Sequence, residues 1–130
     1  MLSRRSVVFA AVAASAAVIP PAFATEARTF DLESFAAAQN AGKPILVAIH
    51  ATWCVTCKAQ KAILSELMSA PRFNDLVYFV VDFDIQKDAM KYFGARERST
   101  LIAFKGETEA GRLVGDTERT VIAVLLDKTL

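Results

Sequence analysis

Hydrophobic and polar positions divide this chain into alternating blocks. Residues 45–49 (Ile-Leu-Val-Ala-Ile) form an unbroken apolar run, the pattern of a strand covered on both faces. Residues 76–83 have the same character and are rich in Val, Tyr and Phe, which favour extended backbone. Between them, Ala59, Ile63, Leu64, Leu67 and Met68 recur at helical spacing. That spacing predicts one buried helix face, with Lys58, Lys61 and Glu66 on the wet side. Pro71 stops that helix. Upstream, Asp31 caps a first helix carrying Leu32, Phe35, Ala36 and Ala38, which Gly42 and Pro44 end. Downstream, 88–93 reads as a short helix closed by Gly94, and 100–104 and 110–114 as two strands joined around Gly106. Asp116-Thr117 opens a last helix with Val121, Ile122, Val124 and Leu125, while 25–29 reads as a polar lead-in. The expected fold class is α/β, with a central mixed sheet of about four strands sandwiched between helices in three layers.

The first 24 residues have a different pattern. Arg4-Arg5 supplies a positive start, residues 7–19 are uncharged and largely apolar, and Ala22-Phe23-Ala24 offers a small-x-small cleavage pattern. This is the layout of an export signal removed near Ala24. The apolar run is shorter than the roughly 20 residues a membrane-spanning helix needs. Ser3-Arg4-Arg5 also resembles a twin-arginine signal, so the general and the twin-arginine routes both stay open. Residues 25–130 then form one domain of 106 residues, enough for a single core. They carry 13 basic and 14 acidic residues with no basic stripe, which argues against a nucleic-acid partner. A monomer is expected.

The chemistry concentrates in Trp53-Cys54-Val55-Thr56-Cys57-Lys58, which holds both cysteines of the 130-residue chain. Two thiols three positions apart at the start of a helix face the same way and can bridge. Unpaired N–H groups at a helix start favour a thiolate at Cys54. Cys57, one turn later, can then attack a mixed disulfide made by Cys54 and release the product. A bridge that only stabilises would close a very short loop and gain little. A structural zinc site wants four ligands, and this chain offers two Cys and one His. No cofactor is expected.

Placed after the first central strand and within this order of elements, the Trp-Cys-x-x-Cys-Lys motif resembles the thioredoxin family. The resemblance runs over nearly all of residues 31–130, through Ala51-Thr52-Trp53, Tyr92-Phe93-Gly94 and residues 100–106. The Cys-Val-x-Cys-Lys form is most similar to the periplasmic thioredoxin-like domains of membrane-linked disulfide reductases. The resemblance implies exchange with protein thiols and disulfides, a periplasmic location, and electrons from a membrane-bound donor. It also sets Ser99, followed by Thr100, where the family has a proline with a cis peptide bond in its substrate loop. A cis bond before a residue other than proline costs roughly 2.5–4 kcal/mol, so a trans Arg98–Ser99 bond is expected. Ala48 stands where the family often has a proton-moving aspartate, and Val80 replaces a lysine found near that aspartate in thioredoxin itself.

The remaining candidates each have two readings. His50, the only histidine, shares a strand face with Ala48; it either assists proton transfer at the thiols or fills an aromatic slot. Trp53 shields the sulfurs and meets partners, or packs into the core. Lys58 stabilises the thiolate or is a solvated helix residue. Arg96, Glu97 and Arg98 steer partners or simply make a charged turn. The leading function is an exported thiol–disulfide oxidoreductase, with the reductase direction slightly favoured. The alternative is a metal-handling module in which Cys54, Cys57 and His50 hold Cu(I).

Overall fold

The computed structural model describes residues 8, 10–17 and 25–130. The arginine pair and the expected cleavage pattern at Ala22-Phe23-Ala24 lie outside the described residues. No described helix is long and apolar enough to cross a membrane.

The two apolar runs form neighbouring parallel strands, β2 (Pro44–His50) and β3 (Val77–Asp82), paired from Ile45↔Val77 to His50↔Asp82. On the other edge of β2, β4 (Thr100–Lys105) runs antiparallel and is followed by β5 (Thr108–Val114). The sheet has five strands rather than about four. Residues 25–29 are not merely a lead-in, because Ala27–Thr29 form β1, parallel to β3, giving the order β1-β3-β2-β4-β5. All three β1 residues are exposed, so backbone pairing to Tyr78–Val80 holds the strand where hydrophobic pattern cannot.

Alternation along each central strand divides the core into two halves. Ile45, Val47 and Ile49 of β2, Phe79 and Val81 of β3, and Ile102 and Phe104 of β4 face one side. There they meet Phe35 and Ala38 of α1 (Leu32–Asn40) and Ala89 and Met90 of α3 (Lys87–Tyr92). Leu46, Ala48, Tyr78, Leu101 and Ala103 face the other side. Their partners are Leu64 of α2 (Val55–Leu67), and Ile122, Leu125 and Leu126 of α4 (Arg119–Asp127). This is the expected three-layer α/β arrangement.

Three local readings need correction. Ala59 is exposed and Gln60 takes the buried position on α2. Helix α4 starts at Arg119 with Glu118 as its cap rather than at Asp116-Thr117, because the backbone first turns through Gly115 at φ 75°. Helix α2 ends at Leu67, so Pro71 does not stop it but opens a separate short 3₁₀ turn, Pro71–Phe73.

Candidate active site

Strand β2 ends at His50, and the chain turns through Ala51, Thr52 and Trp53 before α2 begins at Val55. Cys54 is the N-cap of α2, in the extended conformation an N-cap requires, and its sulfur accepts the Cys57 N–H at 3.1 Å. One of the unpaired donors of the helix start is thereby aimed at the Cys54 sulfur. Both thiols are reduced and buried, packed with Ala51 and against Phe83.

The opposing loop brings Ser99 directly onto the pair. Its Oγ lies 3.2 Å from Cys54 Sγ and 3.1 Å from Cys57 Sγ. The other hydrogen-bond partner of the Cys57 thiol is the Ile49 carbonyl, at 3.9 Å. Ser99 is itself buried and has φ 61°, the one positive φ at a non-glycine among the described residues. A side chain is uncommon in that left-handed region, and three main-chain contacts keep it there. The Ser99 N–H donates to Ile49 O at 2.9 Å, and the Ser99 carbonyl accepts from Gly115 N–H at 2.9 Å and Gln60 Nε2 at 3.0 Å. No described peptide bond is cis, so Arg98–Ser99 is trans, as expected.

Charge at Cys54 reflects opposing effects. Burial pushes the thiol up, but hydrogen bonding from the Cys57 side chain, the Ser99 hydroxyl, the Cys57 N–H and nearby Arg98 brings it from 9.0 down to about 7. A substantial thiolate fraction is therefore present at neutral pH. The Arg98 guanidinium lies over the Trp53 ring, 4.7 Å from its centroid. Trp53 is held by its Nε1–H, which donates to Asp84 at 2.8 Å, and by an edge-on contact with Phe83.

Comparison with known proteins decides what kind of site this is. The thioredoxin family model matches residues 26–128. The chain belongs to the thioredoxin family. It is 30% identical over 117 residues to the thioredoxin H-type of Brassica oleracea, spanning 88% of this chain and 94% of that one. It is 34% identical over 85 residues to a bifunctional thioredoxin reductase/thioredoxin of Mycobacterium leprae, where the match spans 65% of this chain but 18% of that protein. Among solved structures, Trxlp from Edwardsiella tarda EIB202 superposes with a TM-score of 0.75 at 35% identity, covering 78% of this chain and 98% of that one. This thioredoxin-family protein is thus a thiol–disulfide oxidoreductase acting on protein thiols and disulfides, with Cys54 and Cys57 as its Cys-x-x-Cys pair.

Within that thioredoxin fold, the other candidates separate clearly. Trp53 is 54% exposed beside Cys54, so it forms surface rather than core. Lys58 is exposed; its charge is felt at His50, where it lowers the imidazole pKa. Thr100 is buried, and its hydroxyl donates to Glu97 O at 2.7 Å, closing the turn before β4. Among the described residues, His50 reaches neither sulfur by a hydrogen bond, and its buried Nε2 has no partner. Burial first, then the Lys61 and Lys58 charges, hold its pKa below 6.5, with Asp82 opposing. The imidazole is therefore harder to protonate than a free one, which weakens any positive charge it could offer the thiolate. It faces a cavity of about 430 Å³ shared with Thr29, Val80, Asp82, Ile85 and Gln86. The proposed Cu(I) set is not assembled, since no group of three or more His, Cys, Asp or Glu side chains among the described residues is placed to hold a metal.

Gln60 is the site residue that sequence reasoning missed. It is 2% exposed, and its Nε2 donates to Ser99 O at 3.0 Å and to Asp116 O at 2.9 Å. It straps two loops to α2. The available signal was a polar residue on the face that Leu64 and Cys57 bury, which helical spacing alone could have exposed.

Proposed function

We propose that this protein is exported and reduces disulfides of other proteins. Cys54 is the attacking thiolate, Cys57 the resolving thiol, and a membrane-linked dithiol donor restores the pair. The observation that carries the reading is the buried Cys54 sulfur at the cap of α2, accepting the Cys57 N–H at 3.1 Å with its pKa near 7. A thiolate stabilised much further makes the reduced form so favourable that the pair becomes an oxidant. Strong oxidants of this chemistry have a nucleophile pKa of about 3.5, against about 7 in reductants. Cys54 matches the reductants. The apolar leader over residues 7–19, with its following small-x-small pattern, supports export.

Equilibration with glutathione tests the direction. A potential near about −270 mV is expected, and one near about −120 mV would reverse it. A Cys57→Ser variant expressed in the native cell should accumulate mixed disulfides between Cys54 and protein substrates. In the same cells, the protein should fractionate outside the cytoplasm and begin at Thr25; a cytoplasmic protein with an intact start would remove the export reading.

A further inference from the structure

Resolution by Cys57 poses a proton problem. Cys57 must lose a proton as it attacks, and the departing substrate sulfur must gain one. Residues Cys54, Cys57 and Ser99 are each 3% exposed or less, so little of them meets bulk water. The strand beneath offers little help, with Ala48 on the face below the pair and His50 making no hydrogen bond to either sulfur. A serine hydroxyl can accept one hydrogen bond while donating another. Ser99 Oγ lies between the two sulfurs at 3.2 and 3.1 Å.

We propose that Ser99 is the proton relay of the cysteine pair, accepting from the Cys57 thiol and donating toward Cys54 and the sulfur bonded to it. This rests on the thiol–disulfide reading. Cys54 first attacks the substrate disulfide, forming one mixed disulfide and releasing the first substrate sulfur as a thiolate. Cys57 Sγ then bonds to Cys54 Sγ while the bond from Cys54 to the second substrate sulfur breaks. The Cys57 proton passes to Ser99 Oγ, and the original Ser99 proton passes to the departing sulfur. The products are an oxidised Cys54–Cys57 pair and a substrate thiol; two electrons have moved to substrate and no external base is consumed. Run backwards, the same path serves regeneration.

The unusual backbone of Ser99 fits this role. The φ of 61° is kept by contacts to β2, α2 and Gly115, which aim the side chain at the pair. The other titratable groups around the pair are His50 and Asp82 at the strand ends, Lys58 and Lys61 on α2, and Arg98 in the loop. None of them hydrogen-bonds the Cys57 sulfur, whose partners are Ser99 Oγ, the Ile49 main-chain carbonyl and the neighbouring Cys54 thiol.

Ser99→Gly separates chemistry from folding, because glycine adopts positive φ without strain yet has no hydroxyl. Ser99→Ala, which keeps the Cβ, is the companion variant. Each reduced protein is mixed with glutathione disulfide, quenched in acid, and the mixed disulfide followed by mass spectrometry from about pH 6 to 9. The parent should resolve with a shallow pH dependence. Both variants should resolve about 100-fold more slowly at pH 7, the low end for a positioned proton-transfer group. Their rates should rise with pH more steeply than the parent's, since without the relay the Cys57 proton must leave to bulk solvent. Thermal unfolding of Ser99→Gly should match or exceed the parent. Resolution at the parental rate and pH profile in both variants would overturn the relay alone. A parent that forms neither the mixed disulfide nor the Cys54–Cys57 disulfide would overturn the oxidoreductase reading and the relay with it.

Discussion

The two faces of the sheet use their buried volume differently. On the α1/α3 side, Phe30, Phe35, Phe93 and Phe104 form a cluster of aromatic rings with centroids 5.0 to 6.0 Å apart in tilted and edge-on contacts. Tyr92 packs on Phe30, Phe35 and Phe93 at the exposed rim of the cluster. On the α2/α4 side the core is mostly aliphatic, and the sheet's C-terminal end there gives way to sulfur, hydroxyl and amide groups: Cys54, Cys57, Ser99 and Gln60. Ring-on-ring contacts add roughly 0.5–1.5 kcal/mol each beyond their burial, so one face stabilises while the other can hold a strained loop and an ionisable thiol. Stability and chemistry sit on opposite sides of the same strands.

The largest effect that would sharpen this division is Cys54→Ser, which should reduce insulin-disulfide reduction to background while leaving the melting temperature of the reduced protein within a few degrees. Phe35→Ala should do the converse. It should cost about 3–5 kcal/mol by chemical denaturation yet leave the Cys54 titration, followed by thiolate absorbance, unchanged. A moved titration would break the comparison, because it would show that the aromatic face sets the chemistry. Gln60→Leu sits at the boundary. It removes the donor shared by Ser99 O and Asp116 O, should cost about 1–3 kcal/mol, and should raise the Cys54 pKa from about 7 as the Ser99 hydroxyl loses its aim.

Linkage to pH gives a smaller effect confined to the catalytic face. The folded Cys54 pKa lies below its unfolded value, 7 against 9.0, so its stabilising contribution is complete above pH 9 and is lost as pH falls through about 7. Stability of the reduced protein should rise across that window, and the Cys54→Ser variant should lack the rise. The smallest expected effect is at Arg119, whose pair with Glu66 at 2.6 Å joins two exposed side chains. Arg119→Ala should change stability by less than about 1 kcal/mol and leave exchange rates alone.

What the sequence revealed tracks how completely each segment is buried. Strands β2 and β3 were legible because both faces are covered, which forces contiguous apolar residues. Strand β1 was not, since Ala27, Arg28 and Thr29 are exposed and join the sheet through main-chain bonds that any residues could make. Cys54 and Cys57 were legible from spacing alone. Ser99 could be placed by alignment with the family, but its left-handed backbone depends on partners 50 and 39 positions earlier, at Ile49 and Gln60, and on Gly115. Gln60 was not singled out, because its place on the face of Cys57 and Leu64 gives its burial but not the two carbonyls it serves. His50 kept two readings, helper for the thiols or filler of an aromatic slot, because strand alternation gives its face but not the reach of its ring.

The strap formed by Gln60 has an evolutionary consequence. One amide serves the carbonyls of Ser99 and Asp116, and the Gly115 N–H serves the first of these as well, so the three contacts hold one loop between them. A lineage that exchanges the loop proline for serine should therefore acquire glutamine six residues after the nucleophilic cysteine and glycine sixteen residues after the serine, as here with Cys54, Gln60, Ser99 and Gly115. Chains with the serine but neither companion would have to support that loop by some other architecture. Grafting the serine alone into an ordinary relative should then fail, and grafting all three positions together should succeed.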